Sequence, residues 1–117
     1  MQNLIDCVFP GESGCDGGWM GDAFEYIESN KGINTEGSYP YVGYYQDCKF
    51  KRKNVGAYVS GYVNVDATEA ALQEAVATIG PISAAIDSSK TSFQHYYGGV
   101  YFEPNCSSSA GDTNHGL

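Results

Sequence analysis

The chain has 117 residues, fourteen acidic against six basic, and a formal charge of −8, a length that holds one domain or part of one. Hydrophobic residues at 42% with charged residues at 17% exclude a solvated disordered tail and describe a chain that packs a core. The acidic balance excludes nucleic acid as the expected partner, the cations Lys49, Lys51, Arg52 and Lys53 reading as a solvated loop; region 70–86, broken by Gln73, Glu74 and Pro81, excludes a membrane span.

Met1 is followed by Gln-Asn-Leu-Ile-Asp without a positive stretch, so no signal peptide is read, although four cysteines in an acidic chain suit secretion or a lysosome. The first periodic segment follows Gly14-Cys15-Asp16-Gly17-Gly18, where Met20, Ala23, Phe24 and Ile27 recur at helical spacing. Asp16 is placed to cap this helix, Asp22 and Glu25 load its first half, and Asn30-Lys31-Gly32 stops it. Residues 33–53 read as a long loop packed by Tyr39, Tyr41, Tyr44 and Tyr45. Residues 57–59 and 62–65 read as strands with Gly61 as a bulge, and the change of character puts a boundary between two halves near residues 54–58. Asp66 and Glu69 have capping-box spacing, and Leu72, Ala75, Val76 and Ile79 form an apolar stripe that ends at Gly80-Pro81. Residues 82–86 and 99–102 read as further strands. At His115-Gly116-Leu117 an apolar element begins, so the chain is expected to be a piece of a longer protein.

Four cysteines and two histidines are the candidates for chemistry. Their spacings contain no Cys-x-x-Cys and no His-x-x-x-His pair, so no metal centre is expected. An even cysteine count invites two bridges among three possible pairings. His95, beside Gln94 and Tyr96, reads as an ordinary surface or packed histidine, and His115 has no meaning on its own.

Together these pieces resemble the papain-like cysteine proteases, particularly the cathepsin L branch. Gln2-Asn3-Leu4-Ile5-Asp6-Cys7 is similar to the family's Gln-Asn-Leu-Val-Asp-Cys segment, and Gly14-Cys15-Asp16-Gly17-Gly18-Trp19-Met20 to its Gly-Cys-Asn-Gly-Gly-Leu-Met loop. Tyr39-Pro40-Tyr41, the run from Ala75 to Ser83 and Gly99-Val100-Tyr101-Phe102 continue the match in order. Asn114-His115-Gly116 matches the element that bears the family's catalytic histidine.

The resemblance implies a partial α+β fold: residues 1–56 from a helical, loop-rich left domain and residues 57–117 from an antiparallel β-rich right domain. It implies peptide-bond hydrolysis by a Cys/His pair, with His115 as general acid/base. The nucleophile, the oxyanion-hole glutamine and the asparagine that orients the histidine fall outside these residues, so this chain alone is expected to be inactive. Gly17 and Gly18 match the loop whose backbone pairs with an extended peptide; Trp19, Met20, Ala85, Thr113, Asn114 and Gly116 fall at the substrate-binding positions. Cys7 is implied to pair with Cys48, leaving Cys15 and Cys106 unpaired. The implied partners are peptide or protein substrates, a propeptide and cystatin-like inhibitors, with no nucleic acid and no membrane; the implied location is lysosomal or extracellular, and no cofactor is implied. The rival reading is a non-catalytic truncated paralogue, or a disulfide-stapled secreted module that binds peptides.

Overall fold

Directly after Met1 the chain winds into a short helix, α1 (Gln2–Cys7), in a computed structural model that describes residues 1–8 and 14–117. No apolar stripe announces this helix. Gln2, Asn3 and Asp6, one helical face by their spacing, are buried instead, with Gln2 at 0% exposure. The chain forms two compact units, Met1–Asn64 and Val65–Leu117.

In the first unit, α2 (Met20–Ser29) buries Ile27 and half-buries Met20, Ala23 and Phe24, as the periodicity predicts. Its N-cap is Trp19 in extended conformation, without a side-chain cap; Asp16, the expected cap, stands outside the helix. The helix stops at Asn30, where Lys31 turns left-handed at φ 59° and the Gly32 amide donates to the Ile27 carbonyl at 2.9 Å. Gly32 holds φ 127°, and a Cβ there would lie 2.5 Å from Val55 Cγ1, so only glycine lets the chain pass this close. Beyond it, β1 (Ile33–Asn34) pairs antiparallel with β2 (Val55–Ala57) in a register interrupted by an irregularity.

The rest of the 33–53 loop is ordered by polar groups rather than strands. Gln2 Nε2 donates to Asp6 Oδ1 at 2.7 Å and to the Tyr44 carbonyl at 2.8 Å, while its Oε1 accepts from the Val42 amide. Asn3 donates to the Tyr26 hydroxyl and accepts from the Asn34 amide at 3.0 Å. Cys7 and Cys48, separated by 41 positions, are joined by a disulfide. In the chain-entropy account such a closure contributes about 4 kcal/mol.

The second unit contains α3 (Glu69–Thr78), β3 (Ala85–Ile86), α4 (Thr91–Gln94) and β4 (His115–Gly116). Thr68, not Asp66, caps α3: its side chain accepts from the Ala71 amide at 3.2 Å. Of the α3 stripe only Ala75 is buried, whereas Ile79 is 80% exposed.

Four expected strands are corrected. Residues 62–65 and 99–102 form no strand, and of 57–59 only Ala57 lies in one. Val63 at 90% and Phe102 at 83% exposure have β-favouring side chains but no ladder partner, and propensity alone does not hold a strand. Residues 82–86 keep only Ala85–Ile86. The two compact units divide between Asn64 and Val65. The cause is local: β2 is paired to β1, and the Tyr62 ring stacks on Phe24 with centroids 5.7 Å apart.

Candidate active site

His115 is carried by the two-residue strand β4, which lies antiparallel to β3 with Ile86 opposite His115 and Ala85 opposite Gly116. The ladder continues outward. Leu117 and Ala84 exchange amide-to-carbonyl bonds of 2.8 and 2.9 Å, and the Asn114 amide donates to the Ile86 carbonyl at 2.9 Å. These bonds fix the backbone on both sides of an exposed imidazole.

The side chain of Asn114 adds a second tie. Its Oδ1 accepts from the Ser88 amide at 2.9 Å and from the Ser88 hydroxyl at 2.7 Å, joining the exit of β3 to the entry of β4. Next to this tie an open hollow of about 320 Å³ is lined by Ser88, Phe93, Gln94 and His115. Phe93 is set by the short helix α4; its ring lies 6.5 Å from the imidazole and 5.4 Å, edge-on, from Tyr101. His95 is the exposed C-cap residue of α4 and lines no part of the hollow.

Asp87 sits between these pieces, buried at 6% exposure. The Ser89 hydroxyl and amide both donate to its Oδ1, the Ser107 amide donates to Oδ2 at 3.3 Å, and Lys90 Nζ stands 3.7 Å from Oδ2. The Ser89 hydroxyl foremost, then the two amides and the Lys90 charge, hold this carboxyl down at about 2. Asp87 therefore carries its charge across the physiological range and clamps loop 106–112, the approach to His115, against the end of β3. Sequence reasoning missed Asp87, Ser88, Phe93 and Gln94. The usable signal was Asp-Ser-Ser after a strand, the composition of a turn whose carboxylate accepts from residues just ahead.

The remaining expected residues fall in two groups. Ala85, Asn114, His115 and Gly116 meet on the β3–β4 ladder; half-buried Thr113 precedes them, its hydroxyl donated to the Ala110 carbonyl at 2.9 Å. Gly17, Gly18, Trp19 and Met20 lie in the other unit at the start of α2. Gly17 holds φ 104°, nothing lies within 4 Å of where its Cβ would sit, and both glycines are exposed, so this backbone is open to close approach. Trp19 is 61% exposed, with its indole edge lying over Gly21. Cys15 and Cys106 are free and exposed among the described residues; Cys106 Sγ lies 3.8 Å from the Asp87 carbonyl.

Residues 1–117 match the family described as papain family cysteine protease. Digestive cysteine proteinase 3 of Homarus americanus is 54% identical over 107 residues, covering 91% of this chain and 33% of its own length. Cathepsin L2 of Homo sapiens is 48% identical over 118 residues, covering 99% of this chain and 35% of its own. The structure of a digestive procathepsin L2 proteinase from the larval midgut of Tenebrio molitor superposes with a TM-score of 0.84 at 42% identity, covering 98% of this chain and 36% of that one. The chain thus spans about a third of the length of the curated relatives it matches. Its fold is a partial papain-like α+β fold.

Proposed function

Because the chain belongs to the papain family of cysteine proteases, we propose that it forms part of an endopeptidase that cleaves peptide bonds through a Cys/His pair, with His115 as the general acid/base. The observation that carries this reading is the placement of His115: an exposed imidazole on a backbone pinned by the β3–β4 ladder and the Asn114–Ser88 tie, at the rim of an open hollow. Acyl transfer at a thiol requires such an imidazole to draw the proton from sulfur and return it to the leaving amine.

The partner thiolate is none of the four cysteines present. Cys7 and Cys48 are bridged, and Cys15 and Cys106 are assigned structural roles through the resemblance. Without that thiolate and an oxyanion donor pair, these 117 residues alone do not turn over peptides. Gly17 and Gly18 offer an open backbone edge for an extended peptide, and the resemblance assigns substrate contacts to Trp19 and Met20 in the first unit and, separately, to Ala85, Thr113, Asn114 and Gly116 in the second. Residues 1–56 belong to the helical, loop-rich left domain and residues 57–117 to the antiparallel right domain. Substrates are peptides and proteins, and a propeptide and cystatin-like inhibitors are further partners. Since relatives include procathepsins and digestive proteinases, the location is lysosomal or extracellular.

The test is made in the full-length protease that contains this segment. His115→Ala removes nearly all turnover, and His95→Ala leaves it close to wild type. The reverse ranking overturns the assignment.

A further inference from the structure

The β3–β4 ladder fixes the backbone of His115 but not its ring, because the torsion that turns an imidazole about its Cβ is broad and roughly two-fold. A neighbour must therefore select the orientation. Phe93 is that neighbour: its ring centroid lies 6.5 Å from the imidazole with the planes inclined at 60°, and both residues line the hollow. The separation exceeds the roughly 6 Å reach of a cation–π attraction, so the contact works by shape rather than by charge.

Phe93 in turn needs support, since α4 is four residues long, too short to hold a side chain by helical cooperativity alone. The residue before it supplies a tie. Ser92 Oγ donates to Glu103 Oε2 at 2.7 Å and stands 2.9 Å from the Tyr101 hydroxyl. A hydroxyl has one proton and a carboxylate only accepts, so Ser92 gives its proton to Glu103 and takes the one Tyr101 donates. Glu103 is itself held: its Oε1 accepts from the Asn105 amide at 3.0 Å, and its carbonyl accepts from the Cys106 amide at 3.1 Å. The Ser92 hydroxyl foremost, then the Asn105 amide, keeps this carboxyl below the ordinary carboxylate range. The half-buried Tyr101 ring meets Phe93 edge-on at 5.4 Å and meets Tyr96 edge-on at 5.9 Å. Two contacts thus converge on Phe93, one through the backbone of Ser92 and one through the Tyr101 ring.

We propose that Ser92, Tyr101 and Glu103 form a brace of positioning residues that, through Phe93, holds the His115 imidazole in one orientation. This role rests on His115 being the general acid/base. Proton transfer needs heavy atoms within about 3 Å, and a misplacement of about 1 Å costs about a hundredfold in rate. None of the three lines the hollow, so the brace acts on the rate of the chemical step and not on substrate binding.

The experiment uses the full-length protease that contains this segment. Tyr101→Phe keeps the ring and removes one bond, and is expected to lower kcat about threefold with KM unchanged. Ser92→Ala removes both bonds and lowers kcat at least as much. Because Ser92→Ala has already broken the Tyr101 bond, the double variant loses no more than Ser92→Ala alone. Isotopically labelled histidine gives a second readout: nuclear Overhauser contacts between the Phe93 ring and the His115 imidazole weaken in both variants, while exchange of the Ala84 and Leu117 amides stays unchanged. A loss of fold would instead speed exchange at those amides; should Ser92→Ala do so, Tyr101→Phe carries the test. The brace is overturned by an unchanged kcat in Tyr101→Phe, by additive losses in the double variant, or by an undiminished contact between Phe93 and the imidazole. His115→Ala, assayed alongside, separates the two claims: its inactivity together with a failed brace leaves the acid/base reading standing, and its retained turnover overturns both.

Discussion

The Tyr39 hydroxyl donates to Asp6 Oδ2 at 2.8 Å while accepting from the Lys49 amide at 2.9 Å, so one buried phenol joins helix α1 to the disulfide-bearing loop. Asp6 Oδ1 accepts from Gln2 and from the Gln46 amide at 2.9 Å. The interior of the first unit is thus built from polar groups that satisfy one another, an arrangement that is costly to leave half complete.

Tyr39→Phe keeps the ring and removes both bonds. Leaving Asp6 and the Lys49 amide each short of a partner is expected to lower stability by about 1–3 kcal/mol, read by urea unfolding. A loss below about 0.5 kcal/mol would show that the phenol is not what ties these elements together.

The same phenol sets an alkaline limit. Burial first, then the Asp6 carboxylate, pushes Tyr39 up to about 12 against the Lys49 amide, which lowers it. Folding therefore favours the neutral form: its stabilisation is whole below the ordinary value of 10.0 and is lost as pH rises toward 12. Unfolding curves between pH 9 and 12 are expected to show this fall in the wild type and a flatter profile in Tyr39→Phe; identical profiles count against it.

Asp87 sets an acid limit of opposite sign. Its carboxyl is held at about 2 against an ordinary 3.8, so its contribution is present above the ordinary value and disappears as pH falls through about 2. Amide exchange at Ser89 and Ser107 should accelerate over that window, ahead of amides in α3. Asp87→Asn should already show fast exchange at neutral pH. Unchanged exchange would mean the clamp does not hold loop 106–112.

Asn114→Ala removes the acceptor of both Ser88 bonds. Exchange of the Ser88 amide is expected to rise about tenfold, the equivalent of one hydrogen bond, with the α3 amides unmoved. If Ser88 is unaffected, the backbone ladder alone orients the approach to His115.

Alkylation of the native chain followed by mass mapping should label Cys15 and Cys106 and spare Cys7 and Cys48. Two complete intramolecular bridges in a soluble monomer would favour the rival secreted module, which needs all four cysteines paired. Fluorogenic dipeptides at acidic pH complete the check, with no turnover expected from the 117-residue chain; turnover abolished at Cys15 or Cys106 would reassign those residues.

The helices at Met20–Ser29 and Glu69–Thr78 and their stops are legible without the fold, because helical periodicity, capping and glycine act over a few neighbouring residues. Even there the caps moved: Trp19 and Thr68 took positions that Asp16 and Asp66 could also have filled by spacing. The family motifs around His115 were legible as a pattern, but the Asp87 clamp and the hollow beside Phe93 were not, since Asp87 and Ser107 are brought together by the fold. Tertiary structure alone decided which apolar runs became strands, because a strand exists only where a distant partner completes its ladder: Ala85–Ile86 has His115–Gly116, and residues 99–102 have none among the described residues. It likewise decided that α1 turns Gln2, Asn3 and Asp6 inward, since a buried polar face is favourable only after Tyr39, Tyr44, Gln46 and Asn34 arrive to complete its hydrogen bonds.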